Sequence, residues 1–260
     1  MQQTGVGGVL FSLLCAVVIS ACGSGGSEES GANSSPSFSA TSAEGLWNGT
    51  SGNGRTIAGL VLDDGTYWFL YSAINSPSLI AGVIQGTSST QGSSFTSSNG
   101  KDFNLEGLGI LDLTITGSYV TKHSLSGAMA ILPSLGGGGT TFTSLYNADY
   151  DVTPNASLLA GTYTGSTATV EGTELVTVTV SSPGSITGSS ASGCSFSGSF
   201  SPRARGNAYD VSATFAGGVC SNGTSTVTGI AFFDAATKTL YSAALNSART
   251  NGFIYRGAKP

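Results

Sequence analysis

The chain has 260 residues, of which 111 are Gly, Ser or Thr and only 23 are charged. Because strong helix formers are scarce while Thr, Val, Tyr and Phe alternate with Gly and Ser, this composition excludes a mainly helical protein and predicts short strands joined by tight turns. The net charge of −5, with no basic cluster larger than Arg203 and Arg205, also argues against nucleic acid as a partner.

The first predicted element is an apolar segment near the N-terminus. Sixteen residues without a charge run from Val6 to Ala21. A helix of that length spans ~24 Å, which is less than the ~30 Å apolar core of a bilayer. The segment therefore predicts a signal peptide over residues 1–21.

The end of this segment, Ile19-Ser20-Ala21-Cys22, resembles the lipobox of bacterial lipoproteins. The resemblance implies cleavage before Cys22, which would then carry a diacylglyceryl thioether and an amide-linked acyl chain such as palmitate. Gly23 stands where enteric lipoproteins of the inner membrane have aspartate, which implies a lipid anchor in the outer membrane, facing either the periplasm or the exterior. The alternative is an ordinary secretory signal followed by a coincidental cysteine.

The next segment, residues 22–43, begins with the cysteine to be lipidated and continues almost entirely in Gly, Ser, Ala and acidic residues. It has no apolar periodicity. A flexible chain of this length reaches ~25 Å on average. We expect a tether that holds a folded body away from the membrane.

The remaining residues, 44–260, carry the period-2 alternation of half-buried strands. In Glu174–Ser181, three valines share one face and two threonines the other, so one face is expected to be buried and the other wet. The full set of predicted strands is Arg55–Asp63, Thr66–Ala73, Leu79–Gly86, Asp112–Tyr119, Leu125–Leu132, Thr140–Tyr146, Glu174–Ser181, Cys194–Phe200, Tyr209–Phe215, Ser225–Asp234, Thr239–Leu245 and Gly252–Gly257.

Strands at this spacing, with Gly, Ser and Asn between them, predict an all-β fold of antiparallel meanders that form one or two small β-barrels, or alternatively a β-sandwich. The non-alternating stretch Asp149–Ala160 predicts a boundary between a first β unit, residues 44–153, and a second, residues 154–260. The pair Asp64-Gly65 lies between two alternating runs and predicts a two-residue hairpin turn with positive φ values.

Two sequence patterns that each occur twice bear on how the two β units are related. The pattern Gly-x-aromatic-x-Gly occurs at Gly45–Gly49 and again at Gly161–Gly165. The hairpin over residues 59–76 is similar to the one over residues 229–247, with Leu-Tyr-Ser-Ala in both. Because the two repeated patterns occupy different places in the two halves of the chain, a simple tandem duplication does not account for both.

The chain has four cysteines. Cys15 would leave with the signal peptide and Cys22 would be lipidated, so Cys194 and Cys220 remain. In an oxidising compartment we expect them to form a disulfide, with two free thiols or a redox pair as the alternatives.

Side chains for catalysis or metal binding are sparse. His123 is the sole histidine and is expected to be an ordinary loop residue, because no motif supplies it with a nucleophile. One histidine and two bonded cysteines cannot form a zinc site, and we expect no metal and no cofactor. The candidate carboxylate pairs for glycoside hydrolysis are Glu171 with Glu174 and Glu106 with Asp112.

The strand Thr66–Ala73 concentrates aromatic side chains, with Tyr67, Phe69 and Tyr71 on one face and Trp68 on the other. Either this strand is buried on both faces, between two units or under a loop, or Trp68 belongs to an exposed patch that contacts a protein partner.

The loop Ser201–Asn207 contains Arg203 and Arg205 and has two possible interpretations. It is either a solvated hairpin tip or a loop that docks onto a partner.

The acylated cysteine, the tether and the Gly-rich β units resemble surface lipoproteins built from eight-stranded barrels, including the transferrin-binding-protein type. Two segments, GCSFSGSFSPRARG and NSARTNGFIYRGAKP, resemble uncharacterised proteobacterial lipoproteins. The resemblance brings no known activity. Because the sequence shows no catalytic motif, the preferred hypothesis is a lipid-anchored envelope protein that acts as a binding or structural module and is not an enzyme. The alternatives are a hydrolase of envelope polymers with carboxylates in a barrel mouth, and an inhibitor or immunity lipoprotein that docks a toxic enzyme.

Overall fold

The computed structural model describes residues 42–260. The predicted signal peptide, the lipobox with Cys22 and the tether as far as residue 41 lie outside the described residues. The described part forms seventeen strands, two short 3₁₀ turns and one four-residue helix.

The first nine strands form a barrel. They are β1 (Gly45–Ser51), β2 (Thr56–Val61), β3 (Thr66–Ala73), β4 (Ser76–Thr87), β5 (Ser89–Gln91), β6 (Ser94–Asn104), β7 (Gly109–Val120), β8 (Ser124–Ile131) and β9 (Gly139–Asn147). Antiparallel pairing follows the order β4-β3-β2-β1-β9-β8-β7-β6, and β4 also pairs with β6. The strands therefore form a complete cylinder, which closes where the first strand, β1, pairs with the last, β9. The short β5 continues the line of β4 along the first half of β6, so the barrel is eight strands around.

The second barrel is built from β10 (Gly161–Thr169), β11 (Gly172–Val180), β12 (Ser185–Ser190), β13 (Ser195–Pro202), β14 (Tyr209–Phe215), β15 (Thr226–Asp234), β16 (Thr239–Leu245) and β17 (Gly252–Ala258). These strands pair in sequence order, and β10 pairs with β17 to close the barrel. The fold is therefore all-β, with two closed eight-stranded barrels. This confirms the prediction of one or two small barrels, and the alternative of a sandwich is wrong.

The connection between the barrels contains a 3₁₀ turn, Ala148–Asp151, and the helix α1, Ala156–Leu159. Leu159 is fully buried, and the Tyr163 hydroxyl donates a 2.8 Å hydrogen bond to its carbonyl. The side chains of Leu159 and Tyr163 thus cover one end of the second barrel's core. No helix within residues 42–260 is long and apolar enough to cross a membrane.

The alternation along the strands sorts side chains between the barrel interior and the outer surface. On β11, Val176, Val178 and Val180 are buried in the core of the second barrel while Thr177 and Thr179 are exposed. Apolar side chains thus fill the interior, where their burial contributes about 25 cal/mol per Å² of apolar area removed from water.

The repeated pattern Gly-x-aromatic-x-Gly lies in the first strand of each barrel. Trp47 on β1 and Tyr163 on β10 point into the two cores. A Cβ at Gly49 would collide with the carbonyl oxygen of Thr143 on β9, and a Cβ at Gly165 with that of Arg256 on β17. Glycine therefore allows the first strand to approach the last strand where each barrel closes.

The predicted hairpin at Asp64-Gly65 is confirmed, but its turn is one residue longer than expected. Leu62 and Thr66 pair across the loop, and the only residue of the turn with positive φ is Gly65, at 81°. This is a three-residue hairpin loop that ends in a glycine bulge. Asp63 is the first residue of this loop, and its carboxylate pairs with Arg203, as described below.

The two barrels pack against each other through their outer surfaces. We call this contact the seam, and its buried apolar residues are Leu46, Leu60, Leu62, Trp68, Val83 and Phe103 from the first barrel, Ile230, Ala243, Leu245 and Ile254 from the second, and Tyr150 and Ala208 from the connecting segments. The two similar hairpins, β2–β3 and β15–β16, both contribute to the seam. Leu60 and Ile230, which follow the matching glycines, both point into it.

Candidate functional site

Trp68 lies in the seam, between the two barrels. Its side chain is 7% exposed, whereas Tyr67, Phe69 and Tyr71 on the same strand face the interior of the first barrel. The strand is therefore covered on both faces, because the outer face of β3 packs against the second barrel. Trp68 offers no exposed aromatic patch to a protein partner.

The loop between β13 and β14 carries Arg203 and Arg205 towards the first barrel. Arg203 is 17% exposed and lies 2.7 Å from the carboxylate of Asp63 and 2.6 Å from that of Asp210. Arg205 lies 2.5 Å from Glu44. The hydrogen bond from Arg203 holds the pKa of Asp63 below its usual value. Both cations are paired within the chain, and their contact with a partner stays a prediction.

The second barrel is closed at the end where its first hairpin turns. A disulfide joins Cys194, after β12, to Cys220, after β14. Phe196, Phe215 and Phe253 lie at the same end, with ring centroids of successive pairs 5.8 Å and 6.3 Å apart. The cavity that remains has a volume of only about 50 Å³. This barrel is filled by its own side chains.

The corresponding end of the first barrel is open and leads into a cavity of about 190 Å³. The apolar part of its lining is Ile57, Phe69, Ile84, Leu108, Leu111, Leu113, Met129 and Ile131. An eight-stranded barrel is wide enough either to be filled by side chains or to hold one small ligand. The second barrel of this chain is filled by side chains, and the first keeps a cavity. We call the open end of the first barrel the mouth.

A buried carboxylate interrupts the apolar lining of the mouth. Asp102 on β6 is 9% exposed, and its Oδ1 accepts a 2.7 Å hydrogen bond from the hydroxyl of Tyr71 on β3. The side-chain amide of Asn104 donates to the same hydroxyl at 3.2 Å. The second oxygen of Asp102, Oδ2, receives no hydrogen bond from any residue that the structure describes.

An ion pair lies beside this carboxylate. Nη2 of Arg55 is 2.6 Å from the carboxylate of Glu106, and Nη1 donates to the carbonyl of Ser72 at 2.9 Å. The guanidinium also lies over the ring of Tyr71, 5.2 Å from its centroid. Arg55 is thus committed to Glu106, and the hydrogen-bond partner of Asp102 is a neutral hydroxyl.

Burial shifts the titration of both hydrogen-bonded groups. It raises the pKa of the Asp102 carboxyl from 3.8 to about 6; the Tyr71 hydrogen bond and Arg55 oppose this rise, and Glu106 adds to it. Burial, together with the charge of Asp102, raises the pKa of the Tyr71 hydroxyl far above its usual 10. A carboxyl perturbed in this way and placed in a cleft is a common mark of a functional site.

Substitution of Asp102 by asparagine is expected to stabilise the protein at neutral pH. Because the folded pKa is raised, the buried charge costs stability above pH 6, and this cost disappears as the pH falls towards 3.8. The shift corresponds to about 3 kcal/mol. Asparagine can still accept the Tyr71 hydrogen bond.

Urea unfolding at pH 8 and pH 4 checks this prediction for Asp102. The gain should be present at pH 8 and nearly absent at pH 4. Asp112→Asn, which removes a half-exposed carboxylate on the neighbouring strand β7, is the matched control and should change stability by less than about 0.5 kcal/mol. A destabilised Asp102→Asn at pH 8 would contradict this account of the mouth.

The other candidate residues from the sequence each have their own surroundings. His123 lies exposed in the turn between β7 and β8. Each carboxylate of the two proposed pairs has its own partner: Glu106 with Arg55, Asp112 with Lys101, Glu171 with Ser221 and Glu174 with the backbone of Ser192. Within residues 42–260, no three His, Cys, Asp or Glu side chains are grouped so that they could hold a metal ion.

A larger groove, with a volume of about 470 Å³, runs along one side of the seam. Its lining includes Leu70, Ile80 and Phe232, with Asp234 and Arg256 at its polar edge. Asp234 accepts hydrogen bonds from Thr237 in its own turn, and Arg256 lies over the ring of Tyr241. Asp234 and Arg256 at this edge are therefore already engaged within the chain.

Comparisons with known proteins leave the function open. No protein-family model matches the chain, and no curated protein matches it. A solved structure that matches is the crystal structure of a "putative outer membrane protein" from Bacteroides fragilis NCTC 9343, with 16% sequence identity over 83% of this chain and 96% of that chain. Its TM-score of 0.24 is too low to support an argument about either fold or function.

Proposed function

We propose that this protein is a lipid-anchored, non-enzymatic binding module of the bacterial outer membrane, and that its ligand site is the mouth of the first barrel. The observation that carries the proposal is the contrast between the barrels. The interior of the second retains about 50 Å³, whereas the first opens into about 190 Å³ lined by apolar side chains around Asp102. Apolar cavities that contain a few directed polar groups are the usual form of small-molecule sites.

The energetics of Asp102 support the same site. A buried carboxylate with one neutral hydrogen-bond partner lowers stability at neutral pH. Residues that reduce stability in a cleft are typical of binding and catalytic sites, where function and stability compete. Trp68 and Arg203, in contrast, connect the two barrels.

Filling the mouth tests the proposed site. Leu111 lies on β7 opposite Asp102 and lines the cavity. Leu111→Trp should occupy this space and weaken the binding of a neutral apolar probe, propylbenzene, by at least about tenfold, which is 1.4 kcal/mol. Ligand-observed NMR titration measures the change. Leu175→Trp is the control, because Leu175 is 72% exposed on the outside of the second barrel. Equal binding by both variants would show that the probe binds elsewhere.

The lipid anchor requires a separate test. Cys22→Ser should remove the site of acylation, so the precursor should keep its signal segment and the acyl-dependent shift in mass should disappear. Mass spectrometry of the membrane-extracted protein and detergent-phase partition measure both effects. Ser35→Ala, in the predicted tether, is the control and should be processed normally. Unchanged mass and partition for Cys22→Ser would contradict the assignment of the anchor and of the location.

A further inference from the structure

The mouth carries more negative than positive charge. Its charged side chains are Asp102, Glu106 and Arg55, which leaves a formal excess of one negative charge when both carboxyls are ionised. Arg55 and Glu106 pair with each other at 2.6 Å. The unmatched charge is therefore that of Asp102, which lines the cavity.

The two oxygens of Asp102 have different surroundings. Oδ1 accepts the hydrogen bond from Tyr71, and that hydroxyl already receives a bond from Asn104. Oδ2 receives none from the residues that the structure describes. A carboxylate oxygen of this kind, on a side chain that is only 9% exposed, is best satisfied by a donor that also carries a positive charge, because charge-assisted hydrogen bonds are roughly twice as strong as neutral ones.

The size and lining of the cavity restrict the rest of such a ligand. About 190 Å³ is somewhat more than the ~150 Å³ of an apolar cavity that accommodates benzene. The walls away from Asp102 are apolar, and the aromatic ring of Phe69 is among them. A compact hydrocarbon body fits these walls, whereas an anionic ligand would have to approach Asp102 and Glu106 against like charge.

We propose that the mouth of the first barrel binds a compact apolar molecule that carries one protonated amine, with the ammonium group donating to Oδ2 of Asp102 and the apolar body lying against Phe69 and the aliphatic wall. This inference rests on the proposed function, since it assigns a ligand class to the same site. An ammonium group suits the site because it is small and has three donors on one atom.

Calorimetric or NMR titration with two matched probes tests the ligand class. Phenethylamine and propylbenzene have the same shape and differ in the terminal group. At pH 7.5 the wild type should bind phenethylamine at least about tenfold more tightly than propylbenzene, which is 1.4 kcal/mol. Asp102→Asn should abolish this preference while it retains propylbenzene, and Asp112→Asn should leave the preference unchanged. Phenylacetate, the anionic analogue, should bind more weakly than either.

The pH dependence gives a second readout. The groups that face Asp102 are Tyr71 from β3, Arg55 from β2 and Glu106 from the turn after β6. As the pH falls through about 6, Asp102 takes up a proton, so the preference for the amine should be lost by pH 4.5 in the wild type.

The possible results separate the two proposals. Propylbenzene binding at the mouth with no preference for phenethylamine would overturn the ligand class and leave the binding site in place. A preference that survives in Asp102→Asn would also overturn it. Failure of both probes to bind the wild type would overturn the proposed site and the ligand class together.

Discussion

Replacement of Trp68 by alanine is expected to lower the free energy of unfolding by about 3–5 kcal/mol, the usual cost of truncating a buried tryptophan. Trp68 is 7% exposed in the seam, with Leu60 opposite it on β2 and Ile230 from the second barrel in the same cluster. Because the barrels share this apolar cluster, removal of the indole leaves a cavity between them. Urea unfolding monitored by circular dichroism measures the loss.

A matched control for Trp68 is Leu175→Ala on the outer surface of the second barrel, where the side chain is 72% exposed. Its effect should be less than about 0.5 kcal/mol. If Trp68→Ala also changed stability by less than about 1 kcal/mol, the seam would not be a packed interface. Trp68 would then have to be reconsidered as a residue for partner contact.

Removal of the disulfide is expected to cost about 3.5 kcal/mol. Cys194 and Cys220 are separated by 26 positions in sequence, and the loop-entropy model gives this value for a loop of that length. The bond ties together two turns at the closed end of the second barrel, so the double variant Cys194→Ala/Cys220→Ala should destabilise that barrel first.

Urea unfolding of the wild type with and without reductant, beside the double cysteine variant, measures this effect. Reductant should lower the stability of the wild type to that of the variant and should leave the variant unchanged. Amide hydrogen exchange should increase in β12–β15 more than in β1–β4. A variant as stable as the oxidised wild type would show that core packing alone holds this end together.

The strands could be predicted from the sequence where apolar and polar residues alternate regularly. The twelve predicted strands all correspond to observed strands, with ends that differ by a few residues. The sequence missed β1, β5, β6, β10 and β12. In β1 and β10, the inward positions Gly49 and Gly165 carry no side chain, so the apolar alternation is broken where the barrels close.

The candidate site could not be predicted from the alternation of apolar and polar residues, because a β-bulge in β6 reverses the face on which Asp102 lies. Phe95 and Ser97 on β6 point inward, and strict alternation would then send Asp102 outward. The register shifts between Ser97 and Gly100, and this extra residue turns Asp102 into the barrel. Sequence analysis weighed the neighbouring carboxylates Glu106 and Asp112 instead, and neither is buried.

The choice of partner-contact residues rested on a different signal. Trp68, Arg203 and Arg205 were singled out because aromatic and arginine side chains are enriched at interfaces. The structure places Trp68 and Arg203 at an interface, but it lies between the two barrels of the same chain. A sequence alone shows that a strand is apolar on both faces, and it does not show which surface covers the second face.

The most direct test of the account is to locate a bound ligand by methyl NMR. Propylbenzene should shift the methyl resonances of Ile84, Leu111 and Met129 in the mouth and leave those of Val178 and Ile186 in the second barrel unchanged. Shifts confined to Leu70 and Ile80 in the groove beside the seam, or shifts in the second barrel, would contradict the claim that the ligand binds in the cavity of the first barrel.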